Sequence, residues 1–200
     1  STIALVTNAL CHLGYEAYQG DVKSAFTQSK RIDRELYVSQ PREGLPGLRQ
    51  DQLLQLQTEI YGTVRGPSWW RETLVEQIKS LGYQESLYDP CLYILRSSQD
   101  QILRTERMQE RLRANPWENG NWLTPEPTLQ KELEFEPVEG LLLVEVDDLY
   151  EGGSERHRSL MQEIQTKFRF GKHTSLMQPE GGTFDGMRMV QKQIFRSFFQ

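Results

Sequence analysis

Two adjacent carboxylates, Asp147 and Asp148, interrupt an otherwise largely apolar segment between Gly140 and Gly153. The apolar run before them, and the apolar residues and Gly pair after them, predict a strand, a tight turn and a returning strand. Carboxylates at the tip of a hairpin do not help to bury a core, but Mg²⁺ prefers hard oxygen ligands of this kind. Polymerases that join nucleotides use two such ions, held by acids from separate strands. A second acidic strand is therefore needed elsewhere in the chain.

Asp21 is the candidate for the second acid. Residues 15–19 predict a short strand with Asp21 at its end, and a turn then leads to Phe26. If the two strands are neighbours in one sheet, the three acids can bind two Mg²⁺ ions, with Mn²⁺ as an alternative. One ion would lower the pKa of a primer 3′-hydroxyl, and the other would neutralise charge on the triphosphate and the pyrophosphate leaving group. An Asp pair at a turn is also ordinary turn chemistry, so that interpretation stays open at this point.

Four blocks of sequence follow one another along the chain. They are Asp-Val-Lys-Ser-Ala-Phe at 21–26, Glu-Leu-Tyr-Val-Ser-Gln-Pro-Arg-Glu-Gly at 35–44, Ile-Tyr-Gly-Thr-Val-Arg-Gly-Pro-Ser-Trp-Trp at 60–70, and Ser-Leu-Tyr-Asp-Pro-Cys-Leu-Tyr at 86–93 with Val-Asp-Asp at 146–148. In this order the blocks resemble the reverse transcriptase of Ty1/copia-type LTR retrotransposons. The resemblance covers roughly residues 5–96 and 138–190.

The resemblance implies a metal-binding catalytic triad and further contacts to nucleotide and nucleic acid. An aromatic ring at the position of Phe26 would lie under the sugar of the incoming nucleotide, where it excludes a 2′-hydroxyl and selects deoxynucleotides. Phe26 is equally well interpreted as a core residue. The implied residues are Asp21, Asp147 and Asp148 for catalysis and metal binding, Phe26, Val22 and Arg65 for the nucleotide, and Tyr61, Gly62 and Lys23 for nucleic acid.

The resemblance also implies an activity, a fold and partners. The activity is that of an RNA-directed DNA polymerase, and the implied partners are an RNA or DNA template-primer, a deoxynucleoside triphosphate, and the integrase and RNase H domains of a polyprotein. The expected fold is an α+β right-hand polymerase palm, with an antiparallel sheet of the ferredoxin-like or split βαβ kind and helices on one face. Residues 1–200 would form one partial fingers and palm domain without all of the fingers. The expected location is intracellular, in cytoplasmic virus-like particles, in the nucleus, or in both.

Several residues depart from the family pattern. Glu145 stands where the family usually has Tyr or Phe, and its carboxylate would repel phosphate. Val64 and Arg65 replace a Lys-Gln pair, and residues 97–137 form a polar stretch that is typical of an insertion. An alternative is therefore an inactive relic, or a co-opted nucleic-acid- or protein-binding module with the same fold. A third interpretation is a ferredoxin-like interaction domain with a chance Asp pair, which requires Asp21 to lie far from Asp147.

Composition limits the class of protein. The chain has 200 residues, a net charge of −5 and 37% hydrophobic residues, which suits one domain with a sizeable core. The negative charge opposes nucleic-acid binding, although Lys23, Lys30, Arg31 and Arg34 form a local basic cluster. No apolar run reaches the ~18 residues of a membrane span. The two cysteines are far apart and predict no metal site.

Helix and strand signals complete the expectations. Ser1 predicts a helix that continues to about Leu13 and ends at Gly14. Further predicted elements are a helix after Pro67 with an inward stripe of Trp70, Leu74, Ile78 and Leu81, a strand over 91–95, an exposed helix over 101–113 and a helix capped by Ser154. Residues 183–190 resemble a strand of the same family, which implies a strand there.

Overall fold

The computed structural model describes residues 1–97, 117–118, 121–122 and 138–192. Most of the predicted insertion at 97–137, including the helix expected over 101–113, therefore lies outside the described residues, as does the tail after residue 192. The helices of the described part are α1 (Thr2–Leu13), α2 (Gly66–Ser80) and α3 (Glu155–Lys167), and a short 3-10 helix covers Ala25–Gln28.

The ends of these helices follow local chemistry. Gly14 ends α1 in the left-handed region at φ 71, where glycine carries no steric penalty. Ser154 caps α3 as predicted, since its side chain accepts a hydrogen bond from the backbone N–H of His157. Ser1 is the N-cap residue of α1 as predicted, without a cap hydrogen bond from its side chain. No helix in the described ranges has the length and apolar character needed to cross a membrane.

The strands of the described ranges form one large antiparallel sheet and three small two-stranded sheets. In chain order they are β1 (Ala17–Val22), β2 (Tyr37–Ser39), β3 (Leu53–Gln55), β4 (Gln84–Glu85), β5 (Leu92–Arg96), β6 (Trp117–Glu118), β7 (Asn121–Trp122), β8 (Val138–Glu145), β9 (Asp148–Gly153), β10 (Phe170–Ser175), β11 (Gly182–Phe184) and β12 (Met187–Met189). The large sheet has the order β10-β1-β9-β8-β5-β4, and β2-β3, β6-β7 and β11-β12 pair separately. This confirms an α+β fold with an antiparallel sheet.

Helices cover both faces of the sheet, which differs from the expected single helical layer. Leu142 and Leu149 pack with residues of α2 and α3, whereas Leu143 and Tyr150 pack on the opposite face in a cluster that contains Leu10 of α1. The physical reason is the continuous apolar run of β8. Because side chains alternate along a strand, such a run presents apolar groups to both faces, and both have to be covered.

The predicted strand over 183–190 is a hairpin, so this prediction was wrong. Its two strands, β11 and β12, are joined by Asp185 and Gly186, which both have positive φ, 48 and 70 respectively. An Asp-Gly pair favours this kind of two-residue turn, because positive φ at both positions matches the twist of the flanking strands. The local turn signal therefore outweighs the apolar pattern of the segment.

A buried polar network connects the sheet to α3. Glu151 of β9 has 2% of its surface exposed and His157 has none. His157 donates from Nε2 to Glu151 at 2.7 Å, and its Nδ1 accepts from the Tyr83 hydroxyl at 2.8 Å. The other carboxylate oxygen of Glu151 lies 2.9 Å from Nε2 of His173 on β10. A buried carboxylate is tolerated only when it is hydrogen-bonded in this way.

Two glycines make room for the histidine. Gly140 and Gly153 are register partners on β8 and β9. A Cβ atom on Gly140 would lie 2.1 Å from Nδ1 of His157, and one on Gly153 would lie 2.6 Å from its Cβ. The glycines that border the acidic hairpin in the sequence therefore form a slot for His157.

Replacement of Glu151 by Gln tests this network. Burial raises the pKa of Glu151, but the hydrogen bonds from His157 and His173 outweigh burial and hold that pKa below its usual value. Such a group stabilises the fold above its unfolded-state pKa, and the contribution is lost as the pH falls through the folded-state pKa. We expect Glu151→Gln to lower the free energy of unfolding at pH 7 by about 1–3 kcal/mol, since an amide cannot accept from both histidines.

The measurement is urea unfolding between pH 7 and the acid range. The variant should lose stability less steeply than the wild type as the pH falls below the usual Glu range. Glu155→Gln is the matched control, because the Glu155 side chain is 93% exposed. Equal effects of the two substitutions would contradict a stabilising role for the buried carboxylate.

Candidate functional site

Strand register brings the predicted acids to one end of the sheet. Asp21 of β1 is the direct partner of Asp148 of β9, and Glu145 of β8 is the other direct partner of Asp148. Direct partners in antiparallel strands have side chains on the same face. Asp147 lies in the two-residue turn between β8 and β9. The acids that are far apart in the sequence therefore lie on neighbouring strands, which disfavours the interpretation that required Asp21 to lie far from Asp147.

The turn that carries Asp147 is held from two sides. The backbone N–H of Val22 donates to the carbonyl of Asp147 at 2.8 Å. The indole N–H of Trp70, on α2, donates to the carbonyl of Val146 at 2.7 Å. Val146 has φ 55, a conformation that is costly for a β-branched residue. The position of Asp147 thus depends on β1 and α2 as well as on the hairpin itself.

The acids around Asp148 raise its proton affinity. Burial raises the pKa of Asp148, and the charges of Asp147, Asp21, Glu145 and Asp185 raise it further. Carboxylates that face each other without a cation disfavour the charged form. A divalent cation would relieve this repulsion, so the donor set fits a hard ion such as Mg²⁺ in its chemistry. Among the described residues no group of three or more His, Cys, Asp or Glu side chains is already converged as a metal site. Binding would therefore have to draw the carboxylates together.

Asp21 sits in a local irregularity of the sheet. The register between β1 and β10 shifts after Asp21, which pairs with Lys172, while Val22 pairs with Phe170. Gly171 lies between them, and a Cβ atom there would be 2.4 Å from Oδ2 of Asp21. Glycine at this position leaves space for the Asp21 carboxylate.

Replacement of Gly171 by Ala should turn the Asp21 carboxylate away from its present position. We expect Mn²⁺ affinity to weaken by about 10-fold, the effect typical of residues that orient a metal ligand. The midpoint of thermal unfolding should change little, because the clash involves the flexible end of one side chain. Mn²⁺ titration of the single variants and the double variant provides the measurement. Gly171→Ala should have no further effect in an Asp21→Asn background, and an additive effect would contradict the explanation.

Two aromatic rings lie beside the acids. Phe26 is 7% exposed and belongs to the core, whereas Tyr61 is 56% exposed. Their ring centroids are 4.4 Å apart and the rings are tilted by 34°. Burial, together with the charge of the nearby Asp147 carboxylate, raises the pKa of Tyr61. Tyr61 therefore lies between Phe26 and the acidic turn.

The other residues predicted to contact nucleotide or nucleic acid do not all direct their side chains to the acids. The Val22 side chain is buried, with 1% exposed, so only its backbone lies at the site. The guanidinium of Arg65 forms an ion pair with the Asp33 carboxylate at 3.6 Å, and its Cζ lies 4.9 Å from the centroid of the Trp69 ring. Lys23 is exposed, and its backbone N–H donates to the backbone carbonyl of Arg169 at 2.9 Å.

Gly62 follows Tyr61 with φ 95, a conformation that favours glycine. The proximity of Tyr61 to Asp147 and the space provided by Gly171 were not predicted from sequence. No local signal indicates either of them. Glu145 was recognised only as a departure from the family pattern, although alternation along a two-residue hairpin places it opposite Asp148.

Replacement of Val146 by Gly tests the strain in the acidic turn. Relief of an unfavourable φ contributes on the order of 1–3 kcal/mol, and the added flexibility of the unfolded chain offsets about 0.5–1 kcal/mol of it. We therefore expect a small net rise in the midpoint of thermal unfolding. Val64→Gly is the control, because Val64 is 98% exposed and has no positive φ. This control substitution relieves no strain, so it should lower the midpoint of thermal unfolding. A lower midpoint for Val146→Gly would show that the turn stores no strain.

Comparisons with known proteins give a coarse assignment. The chain is 26% identical over 103 residues to the Retrovirus-related Pol polyprotein from transposon TNT 1-94 of Nicotiana tabacum, which covers 52% of the chain and 8% of that polyprotein. It is 30% identical over 95 residues to the Retrovirus-related Pol polyprotein from transposon RE2 of Arabidopsis thaliana, which covers 48% of the chain and 6% of that polyprotein. The chain thus spans less than a tenth of these relatives. No family profile and no solved structure matches. The chain is similar to retrotransposon Pol polyproteins, which indicates a retroelement-related protein.

Proposed function

We propose that this chain is the palm-containing part of an RNA-directed DNA polymerase. The observation that carries the proposal is the direct pairing of Asp21 with Asp148, with Asp147 in the adjoining turn. Similarity to retrotransposon Pol polyproteins supports the same class of protein. The proposed substrates are a template-primer of RNA or DNA and a deoxynucleoside triphosphate, and the proposed neighbours are the integrase and RNase H domains of a polyprotein.

In the proposed reaction the primer 3′-oxygen attacks the α-phosphorus and forms a new P–O bond. The bond to the β-phosphate breaks, pyrophosphate leaves, and the hydroxyl proton passes to solvent. Two Mg²⁺ ions, when bound, would favour the 3′-alkoxide and neutralise charge on the triphosphate. The residues that would hold them are Asp21 and Asp147, with Asp148 in support. Their contribution is to place negative charge at fixed positions, because catalysis of this kind depends on positioning and electrostatics.

The surroundings of the acids serve the same purpose. Trp70 and the Val22 backbone hold the backbone of the turn in place, so the movement that metal binding requires is left to the carboxylate side chains. Lys23 is exposed next to Asp21 and is placed to contact a phosphate of the nucleic acid. Asp21, Asp147 and Asp148 are half-buried at one end of the sheet, and we propose this end as the site of the primer terminus.

Replacement of Asp147 by Asn tests the proposal. We expect Mg²⁺-dependent incorporation of a labelled deoxynucleotide on a primed template to fall by at least about 100-fold, since an amide cannot supply the charge that the ions require. Asp51→Asn is the control, because Asp51 is exposed and its ion pair, among the described residues, is with Arg49 at 3.2 Å. Retained incorporation in Asp147→Asn would disprove the assignment.

A second candidate is a binding module that keeps the fold without turnover. Glu145 favours it, because its carboxylate faces Asp148 and adds repulsion toward a triphosphate. If this candidate function is correct, we expect the wild-type chain to bind a template-primer without extending the primer. The same labelled-primer assay, combined with a gel shift on the same duplex, separates the two candidates.

A further inference from the structure

Two members of the basic cluster expected from the sequence are neutralised within the fold. Lys30 forms an ion pair with Glu76 at 2.6 Å, and Arg34 forms one with the buried Glu59 at 2.8 Å. A cation with a carboxylate partner attracts a phosphate less strongly, because the two charges partly cancel. Lys23, by contrast, is exposed and forms no ion pair with a carboxylate of the described ranges.

Folding brings two further cations to Lys23. Arg169 is the residue before β10, and its carbonyl accepts the backbone N–H of Lys23 at 2.9 Å. Lys172 is the register partner of Asp21 on β10, so these two side chains lie on the same face of the sheet. Lys23, Arg169 and Lys172 form what we call the basic corner. All three are exposed, and none is ion-paired with a carboxylate in the part of the chain that the structure describes.

The charge changes sign across one row of the sheet. The register partners run from Glu145 on β8 through Asp148 on β9 and Asp21 on β1 to Lys172 on β10. Carboxylates at the β8 end of the row repel a phosphate, whereas the cations at the β10 end attract it. Although the chain has a net charge of −5, the basic corner therefore gives a polyanion a favourable contact on one side of the acids.

The side chain of Gln28 fixes the backbone of the basic corner. Its Nε2 donates to the carbonyl of Lys23 at 2.6 Å and to the carbonyl of Arg169 at 3.0 Å, and its Oε1 accepts from the backbone N–H of Arg169 at 2.7 Å. One amide group thus joins the end of β1 to the start of β10. The backbones of two cations that are far apart in the sequence are held together, which lowers the cost of ordering them against a ligand.

We propose that the basic corner contacts phosphates of the nucleic-acid backbone, so that the duplex lies over the β10 side of the acids. This inference deepens the proposed polymerase function and rests on it, since a template-primer is the expected duplex. Contacts of this kind position a duplex and carry no sequence information. Each cation that neutralises a phosphate releases counterions, so the affinity falls as the salt concentration rises.

The test is the salt dependence of duplex binding by the full chain. The anisotropy of a labelled RNA–DNA primer-template is measured in EDTA between about 50 and 200 mM salt, and the readout is the slope of log affinity against log salt concentration. EDTA keeps this readout independent of metal binding by the acids. Lys23→Gln, Arg169→Gln and Lys172→Gln should each reduce the slope by about 1, and the triple variant by about 3, because each substitution removes one phosphate contact.

Two further variants make the test specific. Lys79→Gln is the matched control, because it removes the same charge from the last turn of α2, where Lys79 pairs with Glu85 at 2.7 Å. It should leave the slope unchanged. Gln28→Leu keeps every charge and removes the amide that holds the basic corner, so it should weaken binding by about 2- to 10-fold without a change in slope.

The outcomes separate the inference from the proposed function. An unchanged slope in the triple variant, or an equal fall in Lys79→Gln, overturns the inference. Equilibrium dialysis with a deoxynucleoside triphosphate tests the other source of phosphate. If the triple variant loses affinity for that nucleotide and keeps the duplex slope, the inference is also overturned. A chain that incorporates no nucleotide and still shows the expected slopes disproves the polymerase proposal and leaves the basic corner as a nucleic-acid surface.

Discussion

The fold depends on the hydrogen bonds that satisfy one buried carboxylate, that of Glu151. Glu151 lies in the centre of the sheet with 2% of its surface exposed. Its two oxygens form hydrogen bonds with His157 of α3 and His173 of β10, and His157 forms a second hydrogen bond with Tyr83, which follows α2 in the chain. A charge in this environment is costly unless each partner is in place. The network therefore requires β9, β10 and α3 to take one relative arrangement, and the slot between Gly140 and Gly153 admits His157 only in that arrangement.

The same strands carry the acids. β9 contains both Glu151 and Asp148. The hydrogen bonds of Glu151 that hold this strand in the core therefore also fix the position of Asp148 at its beginning. β10 contains His173, and the Gly171 that precedes it gives space to the Asp21 carboxylate. Stability and the candidate site are coupled through these backbones, because a shift of one residue in register would turn every side chain to the other face.

Sequence patterns predicted the local elements well and the packing of some of them poorly. The stripe of Trp70, Leu74 and Ile78 is buried as expected, because helical periodicity is a local property. The placement of α1 on the opposite face was missed, since β8 is apolar on both faces and does not indicate which helix covers which side. The hairpin at 182–189 was missed because resemblance to a single strand of the family was given more weight than the Asp-Gly turn within it. The palm identity of the fold stays a prediction.

The sequence by itself determined the chemistry of the acidic turn. Asp147 and Asp148 between two apolar runs are a turn with two carboxylates in any fold that keeps the hairpin, because turn preferences and strand alternation act over a few residues. Only the tertiary structure decided that Asp21 pairs with Asp148 and that Tyr61, rather than Phe26, presents its ring beside the acids. Both outcomes result from contacts between segments far apart in the chain. Such contacts depend on how the core packs, which no local pattern records.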